Sequence, residues 1–182
     1  METLIIFGVL SIAAIAISWR TLLNLKSHGF YRFFSWECII WLFANNYPFW
    51  FEHPFGVGQL FSWTFLLFAI YLVQAGARLL NKAAKSTRLR DDTALYSFEK
   101  TSELIDYGIF KYIRHPLYSS LIFLTWGIFL KNPTVILCVV AIGSTVLLYI
   151  TARYDEKECI GFFGESYREY RQRSKMFIPY IL

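Results

Sequence analysis

Apolar residues in this chain come in long runs broken by short polar stretches. Five runs can be drawn, over residues 4–23, 33–51, 55–80, 116–130 and 133–152. A helix crossing a bilayer needs about 20 residues at ~1.5 Å rise each. By that measure the fourth run is short, and the second is interrupted by Glu37, Asn45, Asn46 and Pro48. Tilt, kinking or packing against protein accommodates such segments. The pattern predicts an all-α integral membrane protein with about five transmembrane helices. Residues 1–80 would hold three of them, and residues 81–182 a second unit built on a helical hairpin over 116–152. Lys131-Asn132-Pro133 makes the hairpin turn, with Pro133 suited to begin the fifth helix because its missing N–H falls among the unpaired first-turn donors. So short a connection forces the two helices to run antiparallel side by side. Between the third and fourth runs, residues 81–112 are polar, with a turn at Arg90-Asp91-Asp92 and a short helix or surface-lying segment over 97–106.

Composition agrees with the pattern. The chain is 56% hydrophobic and 20% aromatic, with mean hydropathy +0.42. Charged residues are 17%, against about 25% in an ordinary soluble domain. The net charge of +5 does not point to nucleic acid, because the basic residues form no single module. It reports topology instead. Every lysine and arginine except Lys131 falls at the end of the first, third or fifth run or in the stretch that follows it. With five crossings these share one side, which the positive-inside rule makes the cytoplasm. The N-terminus is then outside and the C-terminus cytoplasmic, in what reads as a prokaryotic inner membrane. No lysine or arginine precedes the first run, so it reads as a membrane helix and not a cleaved signal. Cys38, Cys138 and Cys159 lie far apart, without metal-ligand spacing, and read as free thiols. No metal is implied.

Two polar motifs flank the hairpin. Arg114-His115-Pro116-Leu117-Tyr118 opens the fourth run, and Asp155-Glu156 follows the fifth. An antiparallel hairpin returns both to the same end. Polar groups at the edge of hydrocarbon are costly to desolvate, so their convergence marks a site. His115 precedes a proline and should be extended, leaving Pro116 as the first helical residue. The free amides of that helix start favour an anion. Two carboxylates at a helix end can hold a cation or hydroxyls, and need a partner if buried. Gly164 should break the fifth helix, and Tyr167 and Tyr170 share one helical face. His28 and His53 are expected on opposite sides of the membrane.

Gly108-Ile109-Phe110, Arg114-His115-Pro116-x-Tyr118, the hairpin, the acidic pair, Phe163-Gly164-x-x-Tyr167-x-x-Tyr170 and Ile178-Pro179 together resemble the isoprenylcysteine carboxyl methyltransferase family and the related membrane phospholipid methyltransferases. The likeness covers about residues 97–182. It implies an enzyme that uses S-adenosylmethionine, held by the C-terminal half at the cytoplasmic face. Carried over by position, the cofactor residues would be Ser102, Glu103, Leu104, Ile105, Phe110, His115, Pro116, Leu117, Tyr118, Asp155 and Glu156. The catalytic positions would be Glu156 and Arg153, the arginine nearest Thr151, where eukaryotic members carry a substrate-contacting arginine. Asp155 stands in place of a glutamate and Ser102 where histidine is common. The implied partner is an amphiphilic or lipid-like small molecule, with membrane lipid around it. Carboxyl O-methylation is placed ahead of phospholipid amine N-methylation and of reduction by a nicotinamide-dependent membrane enzyme. A non-enzymatic membrane scaffold is the remaining class.

Overall fold

In a computed structural model, which describes residues 1–23, 27–86 and 103–181, the chain is helical. Six α-helices follow in order: α1 Glu2–Leu22, α2 His28–Asn46, α3 Val57–Ser86, α4 Pro116–Phe129, α5 Val135–Phe163 and α6 Glu165–Arg173. Short 3-10 turns occupy Tyr47–Phe49 and Gly108–Lys111. Among the described residues, three helices are long and apolar enough to cross a membrane: Glu2–Leu22, Val57–Ala83 and Val135–Phe163. The two other expected crossings correspond to α2, which begins and ends five residues before the expected 33–51 and whose 19 residues bury Arg32, Ser35 and Asn46, and to α4, whose 14 residues rise only about 21 Å. The turn at Arg90-Asp91-Asp92 and most of the 97–106 segment lie outside the described residues. Residues 103–107 are irregular.

The pairs α3 with α4 and α2 with α5 pack most extensively, while α1 lies against α2. Isoleucines and valines along α1, such as Ile5, Val9 and Ile12, stay exposed, as a lipid-facing helix requires. Inside, Ile39, Leu42, Leu66, Ile128, Phe129, Leu137 and Ala141 form the largest core cluster. Polar side chains stitch it. The Ser144 hydroxyl meets those of Ser35 at 2.9 Å and Thr125 at 3.2 Å, tying α5 to α2 and α4. The Asn46 amide donates to the Ile128 carbonyl at 2.8 Å, and the Ser62 hydroxyl to Gly127 O at 2.7 Å. A hydroxyl and a glycine facing each other let two helices approach closely where lipid offers no hydrophobic drive.

Gly127 shows how closely. A Cβ there would sit 2.9 Å from Leu66 Cγ and Cδ2 and 3.2 Å from its backbone nitrogen. The nitrogen belongs to α3 and cannot swing aside. Gly127→Ala should therefore cost about 1–3 kcal/mol by overpacking. In Gly143→Ala the new methyl meets nothing within 4 Å, so no such loss is expected. Thermal unfolding in detergent compares them, and equal midpoints would refute the close contact.

The hairpin differs from expectation in detail. α5 starts at Val135, with the Thr134 hydroxyl accepting from Leu137 N at 3.3 Å, so Thr134 and not Pro133 sets the start. At its other end α5 runs past residue 152 to Phe163, because nothing breaks it before Gly164, which adopts φ +62°. Asp155 and Glu156 thus sit inside a helix. The tail then folds back. Arg114 N donates to Lys175 O at 2.7 Å, His115 N to Met176 O at 3.2 Å, and Lys175 N to Tyr112 O at 3.0 Å. This parallel pairing delivers Met176 and Phe177 into a cluster with Tyr118, Leu148 and Ala152.

Candidate active site

Pro116 is the first residue of α4, and His115 caps it at φ −123°, ψ 62°, outside the helical region. That cap points the Arg114-His115 pair across to α5. Consecutive helical residues diverge by about 100°, so Asp155 and Glu156 cannot face the same way. Asp155 Oδ2 lies 3.4 Å from His115 Nδ1. Glu156 is 2% exposed, and its Oε1 accepts from Arg114 Nε at 2.8 Å. Arg114 Nη1 donates to Arg171 O at 3.2 Å and also to Ser174 O. Arg171 Nε lies 3.5 Å from the second Glu156 oxygen. Glu156 therefore anchors a guanidinium that binds the returning tail.

A cavity of about 120 Å³ opens in front of these groups. Of the residues singled out from sequence, Glu103, Leu104, Ile105, Phe110, His115, Pro116, Leu117, Tyr118 and Asp155 line it. Glu156 stands behind the wall. Arg153 is half-exposed, 3.8 Å from the same Glu156 oxygen, and is not among the lining residues. Ser102 lies outside the described residues. The lining also includes residues not assigned to the cofactor from sequence: Arg114, Phe163, Tyr167 and Tyr170, which belong to the motifs, and His28 from α2, Leu80 from α3 and Cys159, which do not. Both tyrosines turn inward along the helical face they share, 4% and 2% exposed. The Tyr170 hydroxyl donates to Phe110 O at 2.6 Å, which fixes the 3-10 turn against α6. His28 had one available signal: the topology expected from the charges puts it on the same side as His115.

The charges are held in a definite state. Burial lowers the His115 pKa, but the facing Asp155 and Glu156 carboxylates outweigh it and hold His115 above its ordinary 6.5. Its ring stacks on Tyr118 at 5.4 Å, and its buried Nε2 lies 3.7 Å from Glu156 Oε1, beyond hydrogen-bond distance. Burial raises both Tyr167 and Tyr170, so their hydroxyls stay protonated. His28, Asp155 and Glu158 bring donor atoms within 4.8 Å of one another, a spacing a cation can use, although His28 and Glu158 already satisfy each other at 2.7 Å. The site thus offers one wall of carboxylate, one of histidine and a surround of aromatic rings, suited to a small zwitterion carrying an extra positive charge.

The sequence is similar to those of known methyltransferases. The family model described as phospholipid methyltransferase matches residues 66–165, from within α3 to the start of α6. The chain is 28% identical to the methanethiol S-methyltransferase of Crocosphaera subtropica, over 73% of this chain and 55% of that protein. It is 33% identical to the human protein-S-isoprenylcysteine O-methyltransferase, over 56% of this chain and 37% of that one. It is 30% identical to protein-S-isoprenylcysteine O-methyltransferase B of Arabidopsis thaliana, over 71% and 67%. The chain spans about half the length of these curated relatives. No solved structure matches it. A family match over more than half the chain, centred on the hairpin that builds the cavity, settles the membership: the chain belongs to the phospholipid methyltransferase family.

Proposed function

We propose that this chain is an integral-membrane methyltransferase that takes its methyl group from S-adenosylmethionine and delivers it to an amphiphilic acceptor. The supporting observation is the cavity where Asp155, the His115 imidazole and the rings of Phe110, Tyr118 and Phe163 meet. These residues fit the donor. Asp155 would hold its ammonium group, and His115 with the first-turn amides of α4 its carboxylate. The aromatic rings would surround its cation, at about 0.5–2 kcal/mol for a well-placed ring. When bound, S-adenosylmethionine supplies an already activated methyl group. The chain's own work is then to position the acceptor and exclude water.

A second cavity of about 580 Å³ supports the amphiphilic acceptor. It lies between α3, α4, α5 and the tail, lined by Phe65, Phe123, Trp126, Val146, Tyr149 and Phe177 among others, and is almost wholly apolar. Ser119 and Phe177 belong to its wall, next to Tyr118 of the first cavity. An alkyl chain lodged there would present its polar end toward the donor. In this reading α2 and α4 complete five crossings, the first cavity opens to the cytoplasm, and the N-terminus is outside.

The test is incubation of the purified protein in nanodiscs with methyl-labelled S-adenosylmethionine and extracted membrane lipid, alongside equilibrium binding of that cofactor and of NADPH. Label in the lipid fraction with saturable binding of the methyl donor is expected. Binding of NADPH alone would overturn the reading.

A further inference from the structure

His28 lies at the start of α2, more than a hundred residues from the polar motifs and outside the matched family region, yet it lines the same cavity as His115 and Asp155. It is 1% exposed. Glu158, one turn beyond Asp155 on α5, grips it twice: the backbone N–H of His28 donates to Oε1 at 3.2 Å, and Nδ1 meets Oε2 at 2.7 Å. A carboxylate accepts only, so the network assigns the proton to Nδ1. In the neutral ring, Nε2 then carries the lone pair. That nitrogen is buried and has no hydrogen-bond partner. A histidine fixed through one nitrogen by a carboxylate, with the other unpartnered beside a reaction cavity, has the arrangement of a general base.

We propose that His28 Nε2 takes the proton from a methyl acceptor that enters as a thiol, with Glu158 as its positioning residue. This rests on the methyltransferase reading above and departs from the carboxylate acceptor expected from sequence, which would need no base. The acceptor sulfur forms its bond to the methyl carbon as the methyl's bond to the donor's sulfonium breaks. The electron pair of that bond leaves a neutral thioether, and the acceptor's proton moves to Nε2. Glu158 is partly exposed and offers a way out to water for that proton.

The groups facing His28 set how strong a base it is. Burial lowers its pKa, Glu158 and Asp155 raise it, and Arg32 lowers it, for a net rise above 6.5. The acceptor cavity is almost wholly apolar, which admits a neutral thiol and penalises a charged ammonium.

The full chain in nanodiscs, with octanethiol as acceptor, tests this. His28→Asn should bind S-adenosylmethionine within about threefold of wild type but methylate octanethiol at least ~100-fold more slowly at pH 7. The deficit should shrink as the pH rises toward 9, because the share of octanethiol already ionised grows about tenfold per pH unit. Glu158→Gln, at a partly exposed position, guards against a folding failure in the first variant. It should shift the rising limb of the pH–rate profile to lower pH, because losing the carboxylate lowers the His28 pKa. Ring NMR of the unloaded protein should show the same downward shift of the His28 midpoint. A loss that is equal at every pH, an unmoved midpoint in Glu158→Gln, or wild type that binds the donor but leaves octanethiol unmethylated would each overturn the assignment. Wild type that does not bind S-adenosylmethionine would instead sink the parent reading.

Discussion

Glu156→Ala should lower the stability of the protein by about 3–5 kcal/mol, before any question of cofactor arises. The side chains of Glu156 and Arg114 are 2% and 9% exposed and meet at 2.8 Å. Deleting the carboxylate leaves the guanidinium buried without its counter-charge. Arg114 also donates to the carbonyls of Arg171 and Ser174, so its displacement frees the tail that pairs with residues 112–115. Phe177 and Met176 would then leave their cluster with Tyr118. Glu156→Gln keeps an acceptor for Arg114 and should lose less. Glu156→Leu combined with Arg114→Met removes both charges and should recover part of the loss, though not all, because the two carbonyls stay unpaired. Unfolding by tryptophan fluorescence in detergent measures all three. An unchanged midpoint in Glu156→Ala would show that the ion pair contributes nothing.

Its neighbour should behave in the opposite way. Asp155→Asn is expected to lower the midpoint less than Glu156→Ala, since Glu156 still faces His115, and to weaken S-adenosylmethionine binding tenfold to about a hundredfold. Asp155 lines the cavity and is partly open to it. The change conserves shape and removes one charge, and a hydrogen bond to a charged partner is worth about 1.5–3 kcal/mol. Asp155→Glu, one methylene longer, should keep most of the affinity. Equilibrium binding with labelled cofactor decides it, and affinity within threefold of wild type in Asp155→Asn would remove Asp155 from the cofactor site. The contrast between the two acids tests the geometry itself, since a single helical step separates a residue that faces the cavity from one that faces the fold.

Much of this arrangement was legible beforehand. The lengths of the apolar runs fall close to the helices, because a helix in lipid must satisfy its backbone internally and therefore persists until composition changes. The three-residue break at Lys131-Asn132-Pro133 required an antiparallel hairpin, and the hairpin required residues near 115 and 155 to meet. The boundary errors have a local cause. A threonine hydroxyl displaced the helix start from Pro133, and charged residues after Ala152 continued the helix because charge does not break one. Roles within the acidic pair were not legible, since adjacent letters carry no orientation until the helix is known to continue through them.

From its letters alone, the chain's helical membrane character and the meeting of two motifs at one end of a hairpin could be derived, for both follow from periodicity and length. Tertiary structure alone decided that the tail returns to close the cavity, that Glu156 serves Arg114, and that His28 joins from α2. Those contacts depend on where distant segments cross. A single main-chain bridge or one buried ion pair leaves no periodic trace in the sequence.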